Sequence, residues 1–335
     1  MEILGTYELT GHLTSQNSGY SVWGFGKKNG CDYFIKQFLS PKYPVNDSVS
    51  SPARREKKIR QCQEFEQKKI AVYKKLNENS DGNAVRVEEF FRIDSKYYIS
   101  MRKIEALPWD VAMLASLPEK EKVFLCAIIA HGIAGLHKGR IIHADLKHDN
   151  VLFMRTPAGN VTAKIIDFDS SFLETDPPAG GEEIIGDLVY FSPEACRSIW
   201  GDTVELTCKM DIFSLGVLFH QYFAGCLPAF DPEQYSYPGE AVAKGEILTV
   251  SPDLPADIHD LLERMLNPDP VQRPTAMEVY HAFSAYLSGK ECVRIPEDAA
   301  AEEIVPAAEA EPEVPESVVV TPPPVRSPFF RAGDL

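Results

Sequence analysis

Apolar and polar positions change rhythm once along this chain, near residue 105. Before that point, short aromatic and β-branched runs are separated by Gly, Asn and Ser: "YELTGHL" (7–13), "YSVWGFGKK" (20–28) and "DYFIKQFL" (32–39). Such spacing predicts a strand meander. A long helical candidate follows over Ser50–Asn79, after which "AVRVEEFFRID" (84–94) and "KYYISMRKI" (96–104) return to strand-like alternation. Beyond residue 105, "EKEKVFLCAIIAHGIAGLHKG" (119–139) and "DIFSLGVLFHQYFAG" (211–225) are apolar on nearly all sides, which predicts buried helices. Two short strand candidates, "NVLFM" (150–154) and "TAKIIDFD" (162–169), lie between them. The pattern predicts an α+β chain: a β-rich lobe with one main helix over 1–104 and a helical lobe over 105–290. From 291 to 335 the chain is rich in Ala, Glu and Pro, with seven Pro after 297. That segment cannot bury enough apolar surface to offset its chain entropy, so it reads as a disordered tail.

Composition narrows the compartment and the partners. The seven Cys are scattered singly with no C-x-x-C pair, which argues against a disulfide framework or a zinc site and for a reducing cytosol. No apolar run approaches the ~20 residues that cross a bilayer, and no amino-terminal segment suggests export. A cytoplasmic protein without membrane contact is expected. Net charge is −15, of which residues 297–335 carry −7 (nine acidic, two basic), leaving −8 for the other 296 residues. Phosphate contacts need clustered Lys and Arg, so nucleic acid is not an expected partner. The basic stretch "ARREKKIRQCQEFEQKKIAVYKK" (53–75) reads as a solvated helix face.

Candidate chemistry is concentrated in "IIHADLKHDNVLF" (141–153), where His143, Asp145, Lys147 and Asn150 precede an apolar run. If "NVLFM" and "TAKIIDFD" form a hairpin, Asn150 and Asp167 come close as hard oxygen donors of the kind Mg²⁺ takes together with nucleotide phosphates. Asp145 is then placed to orient a hydroxyl or accept its proton, and Lys147 to neutralise charge on a transferred phosphoryl group.

"HADLKHDN" with its downstream "DFD" resembles the catalytic loop and metal-binding motif of the eukaryotic-type Ser/Thr protein kinase family. Other stretches follow in the right order. "YFIKQF" resembles the third-strand Val-Ala-Ile-Lys motif, with Lys36 as the phosphate-binding lysine. "GDLVYFSPE" (186–194) resembles the end of an activation segment, and "DIFSLGVLF" the buried central helix of the large lobe. "NPDPVQRPTA" (267–276) resembles the stretch whose arginine, here Arg273, pairs with Glu194. The resemblance covers roughly residues 10–285 and implies a bilobal protein-kinase-like fold. It implies ATP and Mg²⁺, or Mn²⁺ in its place, as cofactors and protein Ser/Thr hydroxyls as substrate. It assigns catalysis to Asp145 and Lys147, the metal to Asn150 and Asp167, and nucleotide contacts to Gly19, Val22, Lys36, Glu66 and Met101. Glu66 is preferred over Glu64 as the lysine's partner because apolar Ile70 and Tyr73 follow it at i+4 and i+7.

Four departures qualify the resemblance. The glycine-rich loop "LTSQNSGYSVW" keeps only Gly19. Ala144 replaces the Arg that pairs with an activation-segment phosphate in the family, so activity is expected to be independent of phosphorylation there. Asp169 stands in place of the Gly of Asp-Phe-Gly, disfavouring positive φ at that position or capping the next turn. Asp187 stands where a Thr is usual. The depleted loop and compact large lobe point to a divergent bacterial member. Two other readings stay open: a nucleotide-binding pseudokinase, and a small-molecule phosphotransferase of aminoglycoside-kinase type. The tail's "ESVVVTPPPVRSPFFRAGDL" reads either as an unstructured end or as a docking peptide for a partner or the chain's own surface, with Thr321 and Ser327 as phosphosites.

Overall fold

The early alternation becomes one antiparallel sheet, built from β1 (Ile3–Leu4), β2 (Tyr7–Leu9), β3 (Ser21–Lys28), β4 (Cys31–Phe38), β5 (Glu89–Ile93) and β6 (Lys96–Arg102). The structure is a computed structural model that describes residues 2–16, 21–45, 51–180, 184–289 and 328–331. Gly19, Thr321, Ser327 and most of the expected tail lie outside the described residues. Sheet order is β1-β2-β3-β4-β6-β5, and a short strand β11 (Pro328–Arg331) adds itself antiparallel to β5. Each face of the sheet carries its own buried apolar cluster. One face carries Tyr33, Ile35 and Tyr98, packed with Tyr7, Leu9 and Phe91. The other carries Phe38, Phe90, Tyr97, Ile99 and Met101, in a core continuous with the helical lobe.

Helix α1 (Pro52–Asn79) begins where a capping serine and a first-turn proline stand together: Ser51 accepts from the Arg54 amide, and Pro52 has no N–H that needs an acceptor. Its buried stripe is Cys62, Lys69, Val72, Tyr73 and Leu76. At its end the Asn77 side chain clasps the Val87 backbone from both sides, at 2.8 and 3.1 Å, fixing the approach to β5.

The second lobe is helical, as its pattern predicts. It comprises α2 (Val111–Ser116), α3 (Glu119–Lys138), α4 (Pro193–Ile199), α5 (Lys209–Ala224), α6 (Pro238–Ala243), α7 (Ala256–Met265) and α8 (Ala276–Leu287). Thirteen of the sixteen residues of α5 are buried, so it forms the centre of the lobe. Helix α3 lies against the end of α1 because Gly135 lets the backbones meet: a Cβ there would sit 2.8 Å from the Asn79 carbonyl. Short strands complete the inter-lobe region. β7 (Ile141–Ile142) pairs with β10 (Phe172–Leu173), and β8 (Val151–Arg155) pairs antiparallel with β9 (Val161–Ile165).

Candidate active site

The β8–β9 hairpin decides where the polar cluster goes. Val151 faces Ile165 in register, and the Ile166 amide donates to the Asn150 carbonyl at 3.0 Å. Asn150 and Asp167 therefore leave adjacent strand ends towards the same cleft. The loop before β8 is held from below by Asp211, a 1% exposed carboxylate near the start of α5. Its oxygens accept from the amides of His143 at 2.8 Å and Ala144 at 3.0 Å, and Oδ2 also lies 2.9 Å from His137 Nε2. Ala144 takes φ +66°, so its backbone conformation is held by this clamp rather than by its side chain.

His143 is fully buried and fixes the next layer. Its Nε2–H donates to the Ile166 carbonyl at 3.0 Å while Nδ1 accepts from the Asp145 amide at 3.3 Å. Its ring lies 5.1 Å from that of Phe168. The carboxylate of Asp145 is thereby presented with both oxygens occupied: Asn150 Nδ2 donates to Oδ2 at 2.9 Å and the Asp187 amide to Oδ1 at 2.9 Å. Lys147 Nζ stands 3.3 Å from Oδ2. Asp187 thus meets Asp145 through its backbone, while its side chain caps the turn Leu188–Tyr190.

Across the cleft, Lys36 on β4 donates to both oxygens of Asp167 at 2.8 and 2.9 Å and contacts Asp169 Oδ2 at 2.8 Å. Burial lowers the Lys36 pKa, but the charges of Asp169 and Asp167 outweigh it and hold the ammonium above its ordinary value. Burial likewise raises the Asp167 carboxyl, yet the charge and hydrogen bond of Lys36 bring it below the usual range. Asp169 goes the other way, raised by burial and by the neighbouring Asp167 charge. The positive φ in this motif falls on Asp167, at +63°, and not on Asp169. No strain arises at the position where glycine was expected to matter.

Two sequence expectations are corrected. Glu66 does not pair with Lys36: its Oε1 accepts from Tyr97 OH at 2.5 Å. The buried stripe of α1 centres on Lys69 rather than on the Glu66–Ile70–Tyr73 line, so Glu66 lies at its edge. Val22 is not on the Lys36 face of the sheet. Its register partner is Gln37, whereas Lys36 faces Trp23 and Ile99. Facing partners share a side, and a shift of one residue changes sides, so the β3 residue beside Lys36 is Trp23. Met101 pairs with Phe34 and shares the Lys36 face. Trp23 stacks on Phe34 with centroids 5.6 Å apart, and Phe25 stands edge-on at 6.0 Å.

Residues Asp169, Lys69 and Asp211 were missed as participants. A carboxylate at the head of an otherwise apolar helix was the available signal for Asp211. An acidic residue closing "DFD" was the signal for Asp169. For Lys69 periodicity gave none, because a lysine counts as a solvent position.

The donor set fits a divalent cation. The NH₂ group of Asn150 is spent on Asp145, at 2.7 Å to its carbonyl and 2.9 Å to its carboxylate. Its Oδ1 accepts no hydrogen bond among the described residues. The Asp167 carboxylate is ionised and about one-third exposed. Together they offer hard oxygens.

Glu194 opens α4 and meets Arg273, with Nη1 2.9 Å from Oε1 and 3.2 Å from Oε2, joining the segment after Asp187 to the α7–α8 connection.

Residues 49–283 match the family described as protein kinase domain. A calcium and calcium/calmodulin-dependent serine/threonine-protein kinase of Lilium longiflorum is 32% identical over 166 residues, 48% of this chain and 30% of that protein. Calcium-dependent protein kinase 14 of Arabidopsis thaliana is 24% identical over 286 residues, 83% of this chain and 51% of that protein. Serine/threonine-protein kinase zyg-8 of Caenorhabditis elegans is 25% identical over 205 residues, 58% of this chain and 24% of that protein. The chain spans about a quarter to a half of the length of these relatives.

Proposed function

The chain belongs to the protein kinase family, and on that premise we propose that it transfers the γ-phosphoryl group of ATP to serine and threonine hydroxyls of proteins. The observation that carries this reading is the presentation of Asp145. Its carboxylate is aimed by Asn150 and by the Asp187 amide, with Lys147 beside it and the Lys36–Asp167 pair across the cleft. Asp145 orients the acceptor hydroxyl and takes its proton, Lys147 offsets charge on the moving phosphoryl group, and Lys36 holds the nucleotide phosphates. Asn150 and Asp167 would hold Mg²⁺ or Mn²⁺, which supplies charge neutralisation on the phosphates when bound. The Arg273–Glu194 pair supports a protein rather than a small-alcohol acceptor, because it braces a preformed platform beside Asp145.

Activation-segment phosphate is not needed in this reading. Ala144 offers no cation, and the segment is held by other bonds. Ser214 Oγ donates to the Tyr190 carbonyl at 2.7 Å, and Tyr190 OH donates to Gln221 at 2.7 Å. Cys31, Cys62, Cys126, Cys196, Cys208 and Cys226 are free thiols, which supports a reducing, cytoplasmic location. Among the described residues, no helix is long and apolar enough to cross a membrane. The antiparallel pairing of Pro328–Arg331 with β5 supports docking of the tail on the chain's own sheet.

A nucleotide-binding scaffold without turnover is the second reading, favoured by Asp187, which stands where a Thr is usual in the family and meets Asp145 only through its backbone amide. Incubation with Mg-ATP and mixed protein and small-alcohol acceptors separates the readings. Phosphate on protein Ser/Thr, reduced about 10²–10⁴-fold in Asp145→Asn, is the expected result. Nucleotide binding without transfer, or transfer to small alcohols alone, would overturn it.

A further inference from the structure

The carboxylate that holds Lys36 does not come from the helix. Lys36 reaches Asp169 Oδ2 at 2.8 Å, while Glu66 on α1 is committed to Tyr97. What α1 sends towards this cluster is a lysine. Lys69 is 8% exposed, and its Nζ donates to the main-chain carbonyl of Asp169. Asp169 is therefore gripped by two lysines through different atoms, one from strand β4 and one from α1. Its remaining oxygen, Oδ1, is buried without a hydrogen-bond partner. The Asp169 amide in turn donates to Asp167 Oδ1 at 3.3 Å, so the chain of contacts runs from helix to metal-binding carboxylate.

We infer that the polar link between helix and phosphate-binding lysine is rebuilt here: Asp169 supplies the carboxylate that meets Lys36, and Lys69 ties α1 to Asp169 through its main-chain carbonyl. Lys69 is a positioning residue, through which the placement of α1 sets the aim of Lys36 and Asp167. Lys69 and Lys36 both reach Asp169 from buried positions, and Asp169 without Lys69 loses the contact that fixes its backbone. Packing does not substitute for this link. A cavity of about 150 Å³, lined by Phe65, Lys69, Val72, Asp169, Phe172 and Ile185, lies between α1 and the segment after Asp169. A helix loosely packed at that point is located by its polar contact.

The inference deepens the kinase reading, and its test is arranged so that the two can fail separately. The full chain is compared with Lys69→Met, Lys69→Arg, Lys69→Glu, Asp169→Gly and the double variant Lys69→Glu/Asp169→Gly. Without nucleotide, amide hydrogen exchange over 167–173 is expected to rise about 10-fold in Lys69→Met and to stay near wild type in Lys69→Arg. With Mg-ATP, the single variants Lys69→Glu and Asp169→Gly are each expected to lose about 10²-fold in kcat/KM for ATP, as for a misplaced catalytic group. The double variant is expected to recover at least about 10-fold of that loss, because the carboxylate introduced on α1 then faces Lys36 in place of the one removed. Thermal melting of each variant separates misplacement from unfolding. Unchanged exchange in Lys69→Met, or losses that multiply in the double variant, would overturn the inference. If the wild type transfers no phosphate, the exchange measurement alone still decides it.

Discussion

Arg273 carries a charge on a side chain with no solvent exposure, against Glu194 at 10%. Desolvating both ions is expensive, so the pair is worth keeping only while both members and their extra bonds are present. Arg273 has those bonds: it donates to the carbonyls of Asn267 at 2.8 Å, Lys209 at 3.0 Å and Pro268 at 3.3 Å. Lysine cannot copy this fork. Arg273→Lys and Glu194→Gln should each destabilise the protein by about 3–5 kcal/mol in urea unfolding, and a loss below about 1 kcal/mol would show that water screens the pair. This contact was legible, because both partners sit in motifs whose order along the chain is readable. Lys69 and Val22 were not. A lysine is assigned to solvent by its type, and Lys69 points inward because the Asp169 main-chain carbonyl accepts from its Nζ. Val22 requires the strand register, which alternation alone leaves open by one residue.

At the scale of elements, α5 and the segment ending in α4 hold the loop that carries Asp145. Burial raises the Asp211 carboxyl pKa, but the hydrogen bond and charge of His137 and the bond from the His143 amide outweigh it, leaving the net shift downward. A depressed folded value means the group's contribution is present above the unfolded carboxylate value of about 3.9 and is lost as pH falls through the folded value. Stability should therefore drop below about pH 4. Asp211→Asn should flatten part of that drop and cost about 1–3 kcal/mol at neutral pH, since an amide cannot accept from both loop N–H groups. Chemical denaturation from about pH 3 to about pH 7 reads both effects. The segment itself is tied by Asp187, Tyr190 and Ser214, so exhaustive phosphatase treatment should leave the transfer rate within about two-fold. A larger loss would mean that a phosphate does order it, since a phosphate's charge-assisted bonds are strong. Helix α1 and the β8–β9 hairpin were legible from the spacing of their apolar residues. The Asp211 clamp was not, because it joins residues 67 and 68 positions apart and periodicity is silent on such pairs.

On the scale of the whole molecule, the sheet has a boundary problem that the carboxy-terminal strand answers. Without β11, β5 would be an open edge beside α1, presenting unpaired N–H and C=O groups. Residues Pro328–Arg331 cover it, with Phe330 opposite Phe90 and Arg331 opposite Glu89. Four residues of pairing are weak alone, but tethering in the same chain sets an effective concentration near millimolar. The strand is thus kept in place by linkage more than by affinity, and a partner presenting a longer strand could displace it. Helix α1 abuts this edge and bears Lys69, so one helix joins β5 to the Lys36 cluster. Removing residues 297–335 should raise hydrogen exchange at the outward amides of β5 and, to a smaller degree, along α1. Adding the 322–335 peptide at millimolar concentration should reverse it. Exchange at β5 that is the same with and without the tail would rule out cis docking. A rise at β5 with none along α1 would keep the docking and sever its connection to the site.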